Sequence, residues 1–192
     1  MVEPGNAREE FSALGGHRAL DLVNTVAWRL DPQRWADKLV DDDSALRWAW
    51  EFGLCTEAET VLAEGLLLGL RSVREDIYNA VLHADSDSAA RLTELYREWW
   101  QRTDLQVDPQ RRWQPTERYV DGRTIMLRAA RDGVQLLLAG TPNLKQCADD
   151  TCGWLYLDTS PRHNRRWCAP NDCGARNRSK THYYRQRSGA KP

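Results

Sequence analysis

No run of about 18 apolar residues occurs anywhere in this chain, which excludes a membrane-spanning helix. The opening Met1-Val2-Glu3-Pro4-Gly5 has neither a basic start nor an apolar stretch behind it, so no secretory signal is expected and a cytoplasmic location follows. Internal repeats and low-complexity tracts are missing, which leaves no case for a solenoid. No nucleophile–base–orienter set and no glycine-rich phosphate loop stands out, and the chain is not expected to be an enzyme. Net charge is scarce as well: 27 Lys+Arg nearly balance 28 Asp+Glu. That balance conceals an uneven distribution. Residues 145–192 hold ten basic residues and four acids, whereas residues 1–144 hold 17 and 24. An acidic body with a basic end fits a nucleic-acid-binding module joined to a separate domain, or a solvated basic tail.

What is present is aromatic and helical. Nine tryptophans supply large buried area to a chain of 192 residues, enough for one large domain or a domain plus a small module. The expected fold is mainly α: a helical N-terminal domain over 1–143 and a small zinc-ribbon-like module, a short β-hairpin plus helix, over 144–192. A helix is expected over 17–29, with Leu20, Val23, Val26 and Ala27 as its stripe. A second is expected over 43–53, with Leu46, Ala49 and Trp50 inward. Thr56 and Glu59 fit a capping box. It opens the clearest stripe in the chain, Leu62, Leu66, Leu70, Val73, Ile77 and Val81. A fourth helix runs from about Ala89 to Arg102, with Leu92, Leu95, Tyr96 and Trp99 inward. Pro109 and Pro115 argue for extended segments or one hairpin over 104–119. Residues 123–139 read as a helix that tolerates Gly133 at a cost of about 1 kcal/mol.

In this body Trp28, Trp35, Trp48 and Trp50 either fill a core or line a pocket for an apolar effector. His17, Asp21 and Asn24, neighbours on one helix face with Arg18, form a structural polar network or, with Trp28, a ligand pocket. Oligomeric state is not encoded in any pattern here, and a homodimer is compatible with the chain.

Four of the five cysteines carry the strongest signal. Cys147/Cys152 and Cys168/Cys173 are each spaced C-x4-C and are separated by a 15-residue connector. Two short turns that each present two sulfurs are the usual way for a small segment to build a tetrahedral zinc site. In a reducing compartment a metal is the better reading than disulfides. Four sulfurs close the coordination shell, so the expected cofactor is one structural Zn2+. Residues 154–158 alternate large side chains and should form a strand, pairing with 165–168, with His163 at the far tip of that hairpin. Cys55 reads as a small buried apolar residue.

The basic residues cluster around these cysteines. Arginine outnumbers lysine seven to three over 145–192, which favours bidentate contact with phosphate or guanine. If residues 175–187 are helical, Arg176, Lys180, Tyr183 and Arg187 share one face, and Arg178, His182 and Arg185 the other. Cations on both sides suit an element lying in a groove with phosphates on both walls. Arg162, Arg165 and Arg166 stand ready to clamp a neighbouring phosphate. The expected partner is nucleic acid, DNA ahead of RNA, with no membrane. Tyr183, Tyr184 and Trp154 keep RNA open, since they can stack on unpaired bases.

The run from Cys147 through Gly153-Trp154-Leu155-Tyr156-Leu157-Asp158 and Arg165-Arg166-Trp167-Cys168 to Cys173-Gly174-Ala175-Arg176, with His182-Tyr183-Tyr184-Arg185 beyond, resembles the CGNR zinc finger. Leu14-Gly15-Gly16-His17 and Ala19-Leu20-Asp21-Leu22-Val23-Asn24-Thr25 resemble the start of the helical ABATE domain that commonly precedes it. The likeness is dense over 144–187 and thin over 30–140. It implies a stress-induced bacterial transcription regulator with DNA or RNA as its target. One departure stands out: Ala175 occupies the place of the motif's asparagine, whereas Arg176 and the cysteines are retained.

Overall fold

The computed structural model describes residues 11–62 and 64–187; Met1 to Gly5, read above for a signal, and Lys191 of the basic count lie outside them. The chain packs as two units, one made of residues 39–140 and the other of the described parts of 1–38 and 141–192.

The first unit is helical. Helix α2 (Asp42–Glu51) starts at a capping box in which the Asp41 carboxylate accepts from Ser44 N and the Ser44 hydroxyl accepts from Asp41 N. It buries Ala45, Trp48 and Ala49, while Trp50 is 55% exposed, so the inward face is rotated from the one expected. Thr56 and Glu59 do meet, Thr56 N donating to Glu59 Oε2 at 2.8 Å, but the turn they close is a 3-10 helix (Glu57–Leu62). The long helix α3 (Leu66–His83) begins later than its stripe suggested. Gly65 sits there at φ 74°, and the Asp42 carboxylate accepts from Gly65 N and Leu67 N, ending one element and starting the next. The side chain of Leu62, expected to lead the stripe, lies outside what is described.

Helix α4 (Ser86–Gln101) is capped by Asp85, and α5 (Thr124–Ala139) packs on both α3 and α4. Their shared core includes Leu70, Val73, Ile77, Leu92, Trp99, Ile125 and Leu136. Gly133 is where α5 comes closest: a Cβ there would lie 2.7 Å from Ile77 Cγ1. Between α4 and α5, β3 (Thr103–Val107) and β4 (Trp113–Glu117) form one antiparallel hairpin, Leu105 opposite Pro115 and Val107 opposite Trp113. Arg128 of α5 ties the unit together, donating to Glu59, Glu117 and Leu54 O.

The second unit opens with α1 (Arg18–Val23), only six residues long. The helix expected over 17–29 stops because its next residues are used otherwise. Thr25 Oγ1 turns back to Leu22 O at 2.7 Å, Asn24 engages another segment, and Val26–Ala27 (β1) pairs antiparallel with Ala36–Asp37 (β2). The cysteine module follows with β5 (Leu144–Gln146), β6 (Leu155–Leu157) and α6 (Cys173–Arg187). Strand β6 pairs with β5, not with 165–168 as expected; the hairpin turn therefore carries the first cysteine pair. No helix among the described residues is long and apolar enough to cross a membrane.

Candidate metal centre

Each cysteine pair is set by local geometry. Cys147 N donates to Trp154 O at 2.8 Å, closing the β5–β6 turn in which Cys152 lies. The Asp149 carboxylate holds that turn by accepting from Thr151 N at 3.1 Å and Thr151 Oγ1 at 2.7 Å. Gly153 adopts φ 76° at its exit, a conformation that favours glycine. In the second pair Cys173 is the first residue of α6, and Gly174 N donates to Ala169 O at 3.0 Å.

All four sulfurs lie within 4.8 Å of one another and are buried. Cys152 and Cys168 Sγ are 3.7 Å apart, and Cys168 and Cys173 Sγ 3.4 Å. A zinc ion with Zn–S bonds of about 2.3 Å requires tetrahedral S–S edges of about 3.8 Å, whereas a disulfide is roughly 2.05 Å. The donor set therefore fits one structural zinc, which four thiolates would enclose with no open position. As thiols alone, sulfurs this close cannot all ionise. Hydrogen bonds from Cys152, Cys168 and Cys173 push the Cys147 thiol far down, and the bonds to Cys147 push Cys168 and Cys152 up. A divalent ion relieves that crowding.

Around the sulfurs lies a polar shell that thiolate charge requires. Cys168 N donates to Cys147 Sγ at 3.4 Å, and Arg176 Nη2 donates to Cys173 Sγ at 2.8 Å. Arg176 also reaches Asp149 and Asp172. Asn177 Nδ2 donates to Asp149 Oδ2 at 3.1 Å. On the other side of the hairpin Asp158 is fully buried. Burial pushes its carboxyl upward, but Lys145 Nζ, the Ser160 hydroxyl and N–H, and Arg165 N outweigh that and hold it well below the usual carboxylate range. The Arg165 guanidinium sits 4.2 Å from the Tyr156 ring centroid and donates to Trp167 O and Cys168 O. The Tyr156 hydroxyl donates to Arg165 O at 2.9 Å, and burial pushes it up to about 12.

Residues far upstream complete this shell. Asn24 pairs with β6 like a strand: its Nδ2 donates to Leu155 O at 2.8 Å and its Oδ1 accepts from Leu155 N at 2.9 Å. Arg29 N donates to Cys152 O, Leu157 N to Gly15 O, and Trp154 Nε1 to Val26 O. Two guanidiniums lie over the Trp28 ring, Arg34 Cζ at 4.0 Å and Arg176 Cζ at 4.4 Å from its centroid.

The residues considered for an effector pocket are thus committed to the fold. His17 Nδ1 caps α1 by accepting from Ala19 N, Asp21 Oδ1 accepts from Gly15 N at 2.8 Å, and Asn24 and Trp28 serve the cysteine module. Of the four N-terminal tryptophans, Trp48 is buried whereas Trp35 and Trp50 are 51% and 55% exposed.

The eight basic residues divide. Arg165 and Arg176 are turned inward on the metal centre. Arg162, Arg166, Arg178, Lys180, Arg185 and Arg187 are exposed. Lys180 Nζ reaches Asp150 at 3.2 Å, Arg178 Nη2 reaches Pro170 O at 3.2 Å, and Arg187 Nη1 the Tyr183 hydroxyl at 2.7 Å. Trp154, a stacking candidate, instead donates to backbone and lies under Lys38. Local signals in the sequence mark the Asp149-x-Thr151 and Asp158-x-Ser160 turns. Nothing local marks Asn24, Trp28 or the inward turn of Arg176.

A helical body with a buried four-sulfur centre and a basic helix defines a small metal-binding finger protein. Residues 143–186 match the CGNR zinc finger model, and residues 16–140 match the ABATE model, described as "Putative stress-induced transcription regulator". The chain belongs to the ABATE family and carries the CGNR zinc finger at its end. No curated protein matches it.

Proposed function

We propose that this protein is a cytoplasmic transcription regulator that binds DNA through its zinc-organised C-terminal end. The carrying observation is α6. From Arg178 to Arg187 the helix is exposed on every side, and it holds four Lys/Arg, one histidine and no acid. A helix that is polar all round and short is marginal in water without a partner, so its own chain gives it little reason to persist. The phosphate backbone of a duplex supplies such a partner. The zinc centre fixes the first turn of α6, and so aims the rest. The role is one of binding, and no catalytic step is assigned to it.

Salt dependence tests the reading. Six exposed cations remain around α6 and the preceding loop, and neutralising about four to six phosphates gives a slope of about −4 to −5 in log affinity against log salt. A fluorescence titration of the zinc-loaded chain against a labelled duplex should return that slope. A flat response would instead favour a module for protein contacts. RNA is the second reading, favoured by the exposure of Tyr183 and Tyr184, 52% and 59%. It predicts tighter binding to single strands than to duplex.

A further inference from the structure

The two edges of α6 differ in their surroundings. On one edge the cations are met by acids of the cysteine module itself: Arg176 by Asp149 and Asp172, and Lys180 by Asp150. Phosphate approaching there meets the exposed carboxylates of Asp150 and Asp172 and a guanidinium already engaged with a metal-ligand sulfur.

The other edge is built differently. Gly174 lets the Trp167 ring and the Arg178 guanidinium converge, for a Cβ at Gly174 would lie 3.0 Å from Trp167 Cδ1 and 3.3 Å from Arg178 Nη1. Arg166 Cζ lies 5.2 Å from the centroid of the same ring. Trp167 is partly buried against the cysteine cluster, so one aromatic plane, anchored on the metal centre, borders two exposed arginines. Neither arginine pairs with a carboxylate among the described residues. Helical spacing carries the line on to His182 and Arg185, four and seven residues beyond Arg178. A shallow groove lined by Arg178, Ser179, His182, Tyr183 and Gln186 runs beside it.

We propose that α6 meets nucleic acid with one edge only: Arg166, Arg178, His182 and Arg185 face the phosphates of a DNA duplex, Trp167 positions the first two, and the Arg176–Lys180 edge serves the metal centre. This rests on the DNA-binding reading above and replaces the expectation of cations gripping both groove walls. Specific phosphate contacts orient a protein more than diffuse charge does, and arginines fixed beside a rigid ring lose less freedom on binding than mobile ones.

The test uses the full, zinc-loaded chain, a labelled mixed-sequence duplex of about two helical turns, and a single strand of the same sequence. The double variant R166A/R178A should weaken duplex binding roughly 30-fold or more and flatten the salt slope by about 2. R166K/R178K should keep most of that slope. K180A and D150N should each shift affinity by less than about threefold. Zinc content and circular dichroism verify that the variants are folded. Loss of affinity in K180A equal to that in R166A/R178A, or marked tightening in D150N, overturns the edge assignment while leaving DNA binding intact. Preference for the single strand with R166A/R178A unaffected overturns the assignment in favour of RNA. If the wild type binds neither probe at low salt, the DNA-binding reading fails and the edge assignment with it.

Discussion

Asp21 is an acid held in an unfavourable medium. It is 7% exposed, and burial pushes its pKa from 3.8 up to about 6, against the opposing hydrogen bonds from the Gly15 and Leu14 N–H groups. Because the folded chain holds this proton more tightly than the unfolded one, Asp21 contributes stability below pH 3.8 that is lost as pH rises through 6. Asp21→Asn keeps an oxygen for Gly15 N and removes the titration. The variant should therefore gain on the wild type by about 1–1.5 kcal/mol between pH 5 and pH 8, read from denaturant midpoints. Using the difference between the two proteins cancels the protonation of the cysteines, which both share. A constant difference across that range would show that Asp21 stays charged throughout. The same residue shows how legibility works at this scale. Its neighbours His17 and Asn24 are readable as one helix face, but His17 caps α1 locally whereas Asn24 is engaged by Leu155, 131 residues away. The cysteines were legible because a metal needs a fixed number of ligands at short spacing. Arg176 was not, because an arginine beside a sulfur and an arginine beside a phosphate look alike in one dimension.

Among the elements, the best-read were those whose periodicity coincides with burial. The α3 positions Leu70, Val73 and Ile77 are buried, and the α5 stripe through Ile125, Ala129 and Gly133 points inward as its spacing indicates. The poorly read elements have partners outside their own sequence window. Six-residue α1 stops where Asn24 leaves for β6, and α2 turns Trp48 inward in place of Trp50. Gly133 joins the two cases, since its position in α5 was legible and its cause was not. Helix propensity alone says that Gly133→Ala should stabilise by about 1 kcal/mol. The added Cβ, however, would lie 2.7 Å and 3.0 Å from Ile77 Cγ1 and Cδ1, and Ile77 is fully buried. Overpacking of this kind costs about 1–3 kcal/mol, so the contact term should win and the net effect be a loss of about 1 kcal/mol. Ile77→Val in the same background should recover part of it. A thermal melt in which Gly133→Ala raises the midpoint would show that α5 can move off α3.

At the scale of the whole molecule, sequence order and packing order are not the same. Residues 16–140 form one family match, yet residues 11–38 pack with the cysteine module and residues 39–140 form a unit of their own. This has a physical cause: fewer than fifty residues bury too little to stand alone. Zinc supplies on the order of 10 kcal/mol, and the N-terminal segment adds the Asn24–Leu155 pair, the Trp154–Val26 bond and the Trp28–Arg176 stack. A fragment starting near residue 140 would lack all three. Metal removal should therefore act at both ends of the chain together. Stripping the full-length protein with a strong chelator should release one zinc per chain and remove amide protection at residues 24–30 along with 144–176. The helices α2 to α5, which hold their own core, should keep theirs. Hydrogen exchange read by mass spectrometry separates this outcome from the one that sequence order suggests. If residues 24–30 stay protected after the metal has gone, the N-terminal segment is held by something other than the zinc centre. Protection lost evenly over α2 to α5 as well would mean that the two units unfold as one.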